Sequence, residues 1–363
     1  VGIVGAAGRG ESYVGAFRSA GANVVALCDV SLDRVQERAR TLDARAFDDY
    51  DQMLDAGGLD AVVIGTPMQL HAPQVVAALE RGIHVMSEVT AAVTVDECRA
   101  ITLAARRSRG LYMLAENYCY FETNMLVREL VRAGELGDLY YAEGEYLHDV
   151  RDYATKTPWR RHWQMGIDGI TYGTHSLGPI LQWMPGDRVV RVCCEASTSH
   201  HDAADGSPFH RDAPVMLCKT ARGALIKIRV DLCSPRPHAI HYHAQGTHGV
   251  FESSRGGPDR LWLASRSSVP SWTTLDELRA DRSFVDRHWP RAWLDHGEKA
   301  RAAGHGGGDF LQVLDFVRAA RGEIANPIDV DAAMDMTLPG LVSQQSIARG
   351  GTWIDVPDSR AWQ

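Results

Sequence analysis

The sequence predicts an α/β protein: an N-terminal doubly wound Rossmann domain, then an α+β domain with a large, mostly antiparallel sheet. Three observations predict it. Early in the chain, short apolar runs alternate with amphipathic runs of helical length. A glycine-rich turn follows the first apolar run, and after about residue 119 the alternation gives way to closely spaced strand-like runs.

The elements follow in order. "VGIV" leads into "GAAGRGESYVGAFRSAG", "ANVVALCDV" into "SLDRVQERARTLD", "LDAVVIGTP" into "MQLHAPQVVAALERG", and "IHVMSEVT" into "VDECRAITLAARRSRG", with "LYMLAEN" closing the series. Such alternation reads as βαβ units around a parallel sheet. Gly21, Gly82 and Gly110 stand just past three of the helical patterns, where left-handed backbone ends a helix. Beyond them, "NMLVRELVRAGELGD" reads as a helix. "LYYAEGEYL", "RVVRVCCEAS", "VMLCKTARGALIKIRVDLC" and "AIHYHAQGTHGVF" read as strands, and "DFLQVLDFVRAARG" as a late amphipathic helix. Residues 1–118 are expected to bind a dinucleotide, and 119–363 to bind substrate and pair subunits.

Composition narrows the function. The chain has 363 residues, 45% apolar and 23% charged, enough for two ordinary globular domains. A net charge of -8 without a Lys/Arg run argues against a nucleic-acid surface or an anionic-membrane anchor. No apolar stretch reaches the length of a bilayer span. Seven cysteines, odd in number and without a CxxC, fit reduced core thiols and a cytoplasmic setting. Val1 already lies inside an apolar run, so further residues are expected upstream, a targeting peptide among the alternatives.

"VGIVGAAGRG" carries the first chemistry. A phosphate-cradling turn needs Gly5 to leave the strand sharply, a small residue at Ala7 and Gly8 where backbone meets pyrophosphate, and Gly10 to seat the helix, with Arg9 between. Asp29 ends the second strand about 20 residues on, where a carboxylate accepts bonds from both ribose hydroxyls and repels a 2′-phosphate. NAD is therefore expected rather than NADP; a turn or N-cap aspartate is the alternative. Glu116 closes the last strand of this half, at the carboxyl edge where doubly wound sheets bind ligands.

"YGTHSLGP" places Tyr172 and His175 about one helical turn apart, so both side chains lean toward one spot. They read as a proton-transfer pair, or as a core tyrosine beside a satisfied histidine. In "EGEYLHDVR", strand alternation sets Gly144, Tyr146 and His148 on one face and Glu143, Glu145, Leu147 and Asp149 on the other. "GHGGGDF" reads as a helix entry with Asp309 at its start and His305 before it. "SHHDAADGSPFHRD" crowds three histidines with three aspartates, but its spacing fits no metal site and a solvated loop is expected.

The loop, Asp29, "GTPMQLHAPQVVAALERGIHVMSE" and the α+β half together resemble the Gfo/Idh/MocA family of NAD(P)-dependent oxidoreductases, along essentially the whole chain. The resemblance implies that Thr66, Pro67, His71 and Glu88 border the cofactor. It also marks a departure: "SEVTAA" has Val89 where the family's Glu-Lys-Pro signature has lysine, and Thr90 where it has proline. "AENYCYF", "EGEYLHDVR", "PWRRHW", "YGTHSLGP", "CSPRP" and "GHGGGDF" are similar to the NAD-dependent glycosidase branch, glycoside hydrolase family 109.

That branch implies a redox-neutral reaction: hydride leaves a sugar's C3 hydroxyl, the neighbouring C2 proton is removed, the C1 substituent departs, water adds and hydride returns. By resemblance Tyr172, His175 and His148 handle protons, while Glu116, Arg151, Arg160 and His305 hold the sugar; Arg161 is an alternative to Arg160. No metal is expected, a sugar or glycoside is the partner, and a homo-oligomer is implied. A net sugar or cyclitol dehydrogenase is the second reading, and a non-catalytic NAD-binding scaffold the third.

Overall fold

The computed structural model describes residues 1–203, 206–207 and 209–363. They form two compact units: Val1–Tyr120 with His296–Met334 and Asp358–Gln363, and Phe121–Asp295 with Asp335–Pro357.

The first unit contains β1 (Gly2–Val4), β2 (Ala26–Cys28), β3 (Arg45–Phe47), β4 (Ala61–Ile64), β5 (His84–Ser87) and β6 (Tyr112–Leu114). All pair in parallel, in the order β3-β2-β1-β4-β5-β6. Every residue of β1, β2, β4 and β6 is buried, which is why these runs are continuously apolar rather than alternating. Strand order reverses between β1 and β4, so the loops leaving those strands flank the switch point where such sheets take ligands. Helices α1 (Glu11–Ser19), α2 (Leu32–Leu42), α3 (Tyr50–Asp55), α4 (His71–Glu80) and α5 (Val95–Arg107) alternate with the strands. Thr94 and Glu97 form a reciprocal capping box that starts α5. The late helix Gly308–Ala320 also belongs to this unit, with Phe316 edge-on to Phe17 of α1 at 6.1 Å.

The second unit contains β7 (Leu139–Leu147), β8 (Val189–Glu195), β9 (Val215–Thr220), β10 (Leu225–Asp231), β11 (Ala239–Gly246), β12 (Gly249–Glu252), β13 (Arg260–Leu263), β14 (Thr273–Thr274) and β15 (Ile354–Asp355). Their order is β14-β13-β12-β11-β7-β10-β9-β8-β15. Among the described residues β7–β10 is the one parallel pair, and every other neighbour is antiparallel. The unit also carries α6 (Glu122–Arg132), α7 (Arg151–Lys156) and α8 (Thr174–Trp183).

Gly144 fixes where α8 lies on this sheet. A β-carbon there would sit 2.3 Å from the Ser176 carbonyl oxygen, so only glycine lets the helix backbone approach β7. Trp183 anchors the far end of α8, its indole N–H donating to the Asn124 carbonyl at 2.9 Å. His175 is thereby held against the β7 face that carries Tyr146.

Candidate active site

The glycine turn after β1 is built to exclude side chains. Gly5 has φ 74°, and a β-carbon on it would meet the Gly65 carbonyl oxygen at 2.5 Å. A β-carbon on Gly10 would lie 2.7 Å from the Val4 oxygen, and one on Gly65 would lie 2.7 Å from the Gly10 nitrogen. The turn and the end of β4 thus touch backbone to backbone. Asp29, past the end of β2, accepts the Ala7 N–H at 2.9 Å and the Ser31 N–H at 3.0 Å. A bare turn at the switch point with a fixed carboxylate beside it suits a dinucleotide's diphosphate and ribose. Gly5, Ala7, Gly8, Gly10 and Asp29 lie together here.

The neighbouring loops are tied down by their own side chains. Thr66 donates its hydroxyl to Gln74 Oε1 at 2.6 Å, and Pro67 precedes the short helical turn Met68–Leu70. His71 is buried, with Nδ1 2.7 Å from the Thr90 carbonyl oxygen and Nε2 2.9 Å from that of Thr66. It therefore ties together the loops that carry Thr66 and Thr90. Glu116 is fully buried, and Oε1 accepts the Tyr118 N–H at 3.2 Å.

Arg9 and Glu88, both partly exposed, belong to one ion network with the buried Asp309. Arg9 Nε lies 2.5 Å from Glu88 Oε1, and its two terminal nitrogens each lie 2.8 Å from an Asp309 oxygen. The Tyr13 hydroxyl donates to Glu88. Asp309, only 1% exposed, also faces His305 Nδ1 at 2.8 Å and accepts the Asn117 amide at 3.0 Å. Burial alone would raise both carboxyls; Arg9 outweighs it, with Tyr13 helping at Glu88 and His305 at Asp309, and both sit below the ordinary carboxylate range. His305 thus lies in the first unit, beside Arg9 and Asp309.

The second unit gathers the residues expected to exchange protons. The Tyr146 hydroxyl lies 2.9 Å from His148 Nδ1. Around the Tyr146 ring stand His175 at 5.3 Å, His238 at 5.6 Å and Tyr172 at 6.1 Å, and Tyr172 meets His175 edge-on at 5.2 Å. His148 and His238 are 4.5 Å apart. The Tyr242 hydroxyl donates to the His175 carbonyl and fixes the start of α8. Burial first, then the neighbouring His238, pushes the His148 imidazolium pKa down, so the ring stays neutral near pH 7.

Other expected residues stand as follows. Arg151 forms a two-pronged pair with Asp149, at 2.9 and 2.7 Å. Arg160 stacks on Trp159 at 4.4 Å and donates to Gln164 at 2.8 Å. Arg161 stacks on Phe209 at 4.8 Å and donates to Ser207 at 2.7 Å. In the His-rich loop, His200 and His201 both face Asp212, at 3.2 and 3.0 Å, while Asp205 lies outside the described residues. Among the described residues no group of three His, Cys, Asp or Glu side chains could hold a metal ion, and no helix is long and apolar enough to cross a membrane.

Sequence reasoning did not nominate Tyr146 or His238 for the site, nor Asn117 for the ion network. Alternation along β7 puts Tyr146 on the same face as His148, which was its available signal. His238 follows the "CSPRP" stretch with no pattern of its own.

An open parallel sheet of this order with a side-chain-free turn at the switch point, joined to a broad mixed sheet, defines an NAD-binding oxidoreductase of the Rossmann class. Residues 1–116 match the Gfo/Idh/MocA oxidoreductase family, NAD-binding Rossmann fold, and residues 120–362 match the glycosyl hydrolase 109 C-terminal domain. The chain belongs to the glycosyl hydrolase 109 family. It is 30% identical to a glycosyl hydrolase family 109 protein of Saccharopolyspora erythraea, over 99% of this chain and 82% of that one. It is 29% identical to an α-N-acetylgalactosaminidase of Shewanella oneidensis, over 100% and 86%. Among solved structures, levoglucosan dehydrogenase in complex with NADH and L-sorbose shares the fold, with a TM-score of 0.80, 22% identity and 99% of both chains covered.

Proposed function

We propose that this chain binds NAD and cleaves a glycoside without net oxidation or reduction. The observation that carries the reading is the cluster of Tyr146, His148, Tyr172 and His175, four proton-exchanging side chains grouped on one sheet face. Direct glycoside hydrolysis by paired carboxylates needs one of them kept protonated. Asp149, a carboxylate beside this cluster, is instead held below its ordinary range, first by its hydrogen bond from Arg151. Phenol and imidazole suit a different task.

Bound NAD would supply reversible removal of hydride from a ring carbinol, held by Gly5, Ala7, Gly8 and Gly10 at its diphosphate and Asp29 at its ribose. Asp29 favours NAD over NADP through charge repulsion. A ring ketone acidifies the C–H beside it, and this chain must then provide a base for that hydrogen and a proton for the departing oxygen. As the C–H and C–O bonds break, a C=C bond forms; addition of water reverses both proton transfers. Neutral His148 can accept a proton, and Tyr146 hydrogen-bonded to it can pass one. Tyr172 and His175 supply the second exchanging pair. The buried Val89 cannot take the lysine's part, which leaves proton transfer to this cluster. The named relative makes N-acetyl-α-galactosaminides the first substrates to try.

The test begins with purified protein and its absorbance spectrum for bound NAD(H), followed by nitrophenyl α- and β-glycosides alongside free sugars. Aglycone release without NADH accumulation is the expected outcome. NADH accumulating from free sugars, with no aglycone released, would make the protein a net dehydrogenase.

A further inference from the structure

The residue between the cradle's glycines does not reach outward. A guanidinium has five N–H donors, and each of Arg9's has a protein acceptor. Nε binds Glu88 at 2.5 Å, one terminal nitrogen binds Ser12 at 2.7 Å and Asp309 at 2.8 Å, and the other binds Tyr13 at 3.0 Å and Asp309 at 2.8 Å. The guanidinium also stacks over the Tyr13 ring at 4.6 Å. A side chain saturated in this way has no donor left for a phosphate. We infer that Arg9 is a positioning residue: with Glu88 and Asp309 it clamps the glycine turn in its dinucleotide-binding shape, and the "GHGGGD" segment is the part of the chain that closes the clamp.

The geometry of that segment supports the assignment. His305, Gly306 and Gly307 all have positive φ, at 52°, 58° and 91°. A β-carbon on Gly308 would stand 2.3 Å from the Asn117 carbonyl oxygen. This tight path delivers Asp309 to Arg9 from 300 positions downstream in sequence. Asn117 and His305 fill further acceptor positions on Asp309, and the Gln312 amide donates to Tyr13 at 3.1 Å. The turn at residues 5–10, the end of β5 at Glu88 and the entry to helix Gly308–Ala320 are thereby one connected network. Removing Asp309 releases Arg9, and the turn with it.

The inference rests on the reading that NAD occupies the cradle, and the experiment separates the two. NAD and ADP-ribose dissociation constants are measured by equilibrium dialysis for the wild type, Asp309→Asn, Arg9→Gln and the double variant, with the melting temperature of each without ligand. Expected is a weakening of about tenfold for both ligands in each single variant, and no further loss in the double, because the two side chains act as one unit. If Arg9 were instead a phosphate ligand that Asp309 holds back, Asp309→Asn would free it and tighten binding. Tightened, unchanged or additive affinities overturn the clamp while leaving NAD binding intact. A wild type that binds neither ligand overturns the cofactor reading itself. Should Asp309→Asn fail to fold, Arg9→Lys keeps the charge but loses the fork, and it must show the same joint loss.

Discussion

The Tyr146 hydroxyl, near the end of β7, and Nδ1 of His148, just past that strand, lie 2.9 Å apart. A phenol and an imidazole in hydrogen-bond contact can exchange a proton without either becoming a buried unpaired charge. Tyr146→Phe leaves the ring packing and removes that exchange. Turnover is expected to fall by about 10²- to 10⁴-fold, the usual worth of general acid–base catalysis, with NAD affinity unchanged. An unaltered rate in steady-state assays would remove Tyr146 from the mechanism.

Tyr172→Phe and His175→Ala test the other pair. Each should abolish turnover while NAD still binds, as read by the nicotinamide absorbance of the purified complex. Near-wild-type activity in both variants would contradict the assignment.

The pH profile follows from the neutral His148. Burial, then His238, places its pKa below the ordinary imidazole value. The base form therefore persists as pH falls, and the acid limb of kcat/KM should lie below about pH 6.5. His148→Gln should remove that limb. An acid limb above pH 7 in the wild type would show a protonated, not a neutral, resting His148.

Acid stability tests the carboxylate network. Glu88 and Asp309 have folded-state pKa values below their unfolded ones. Such groups stabilise the fold fully above about pH 4–4.5 and lose that contribution as pH drops through their folded values. Asp309→Asn should flatten the fall in melting temperature below pH 4 and, because Arg9 is partly exposed and keeps Glu88 as its partner, cost about 1–3 kcal/mol at neutral pH. Melting curves from pH 3 to 7 check both signs together.

Gly10→Ala is the steric test of the cradle. The added carbon would lie 2.7 Å from the Val4 oxygen, and backbone there cannot rotate away. A loss of about 1–3 kcal/mol in stability is expected, together with weakened NAD binding. Normal melting and normal affinity would show that the turn is looser than its contacts require.

Much of the fold is legible in the sequence because local patterns carry it. Continuous apolar runs mark β1, β2, β4 and β6, since both faces of a parallel sheet are covered. Strand β3 escapes notice: "RAF" is short, partly exposed and at the sheet edge. Helix Val330–Ala348 escapes for the opposite reason, being buried around most of its surface and lacking a polar face to set a period. Strands β14 and β15 are two residues each, too short for alternation to register.

The candidate site divides in the same way. The glycine turn, Asp29 and the Tyr172–His175 spacing are local signals. Asp309 meeting Arg9, and His238 meeting His148, depend on chain segments brought together only by the fold, and neither has a sequence period. Arg151 shows the converse: it stands at a suggestive position, yet its fork closes on Asp149 two residues away.

The redox-neutral reading is tested most directly by carbon-bound deuterium. The enzyme is incubated with NAD and a nitrophenyl glycoside that it cleaves in heavy water, and the released sugar is analysed by mass spectrometry and NMR. One non-exchangeable deuterium on the carbon next to the leaving-group carbon, with no NADH accumulating, is the expected result. Aglycone release with no deuterium on that carbon would contradict it, because a direct displacement never breaks the C–H bond that Tyr146, His148, Tyr172 and His175 are proposed to serve.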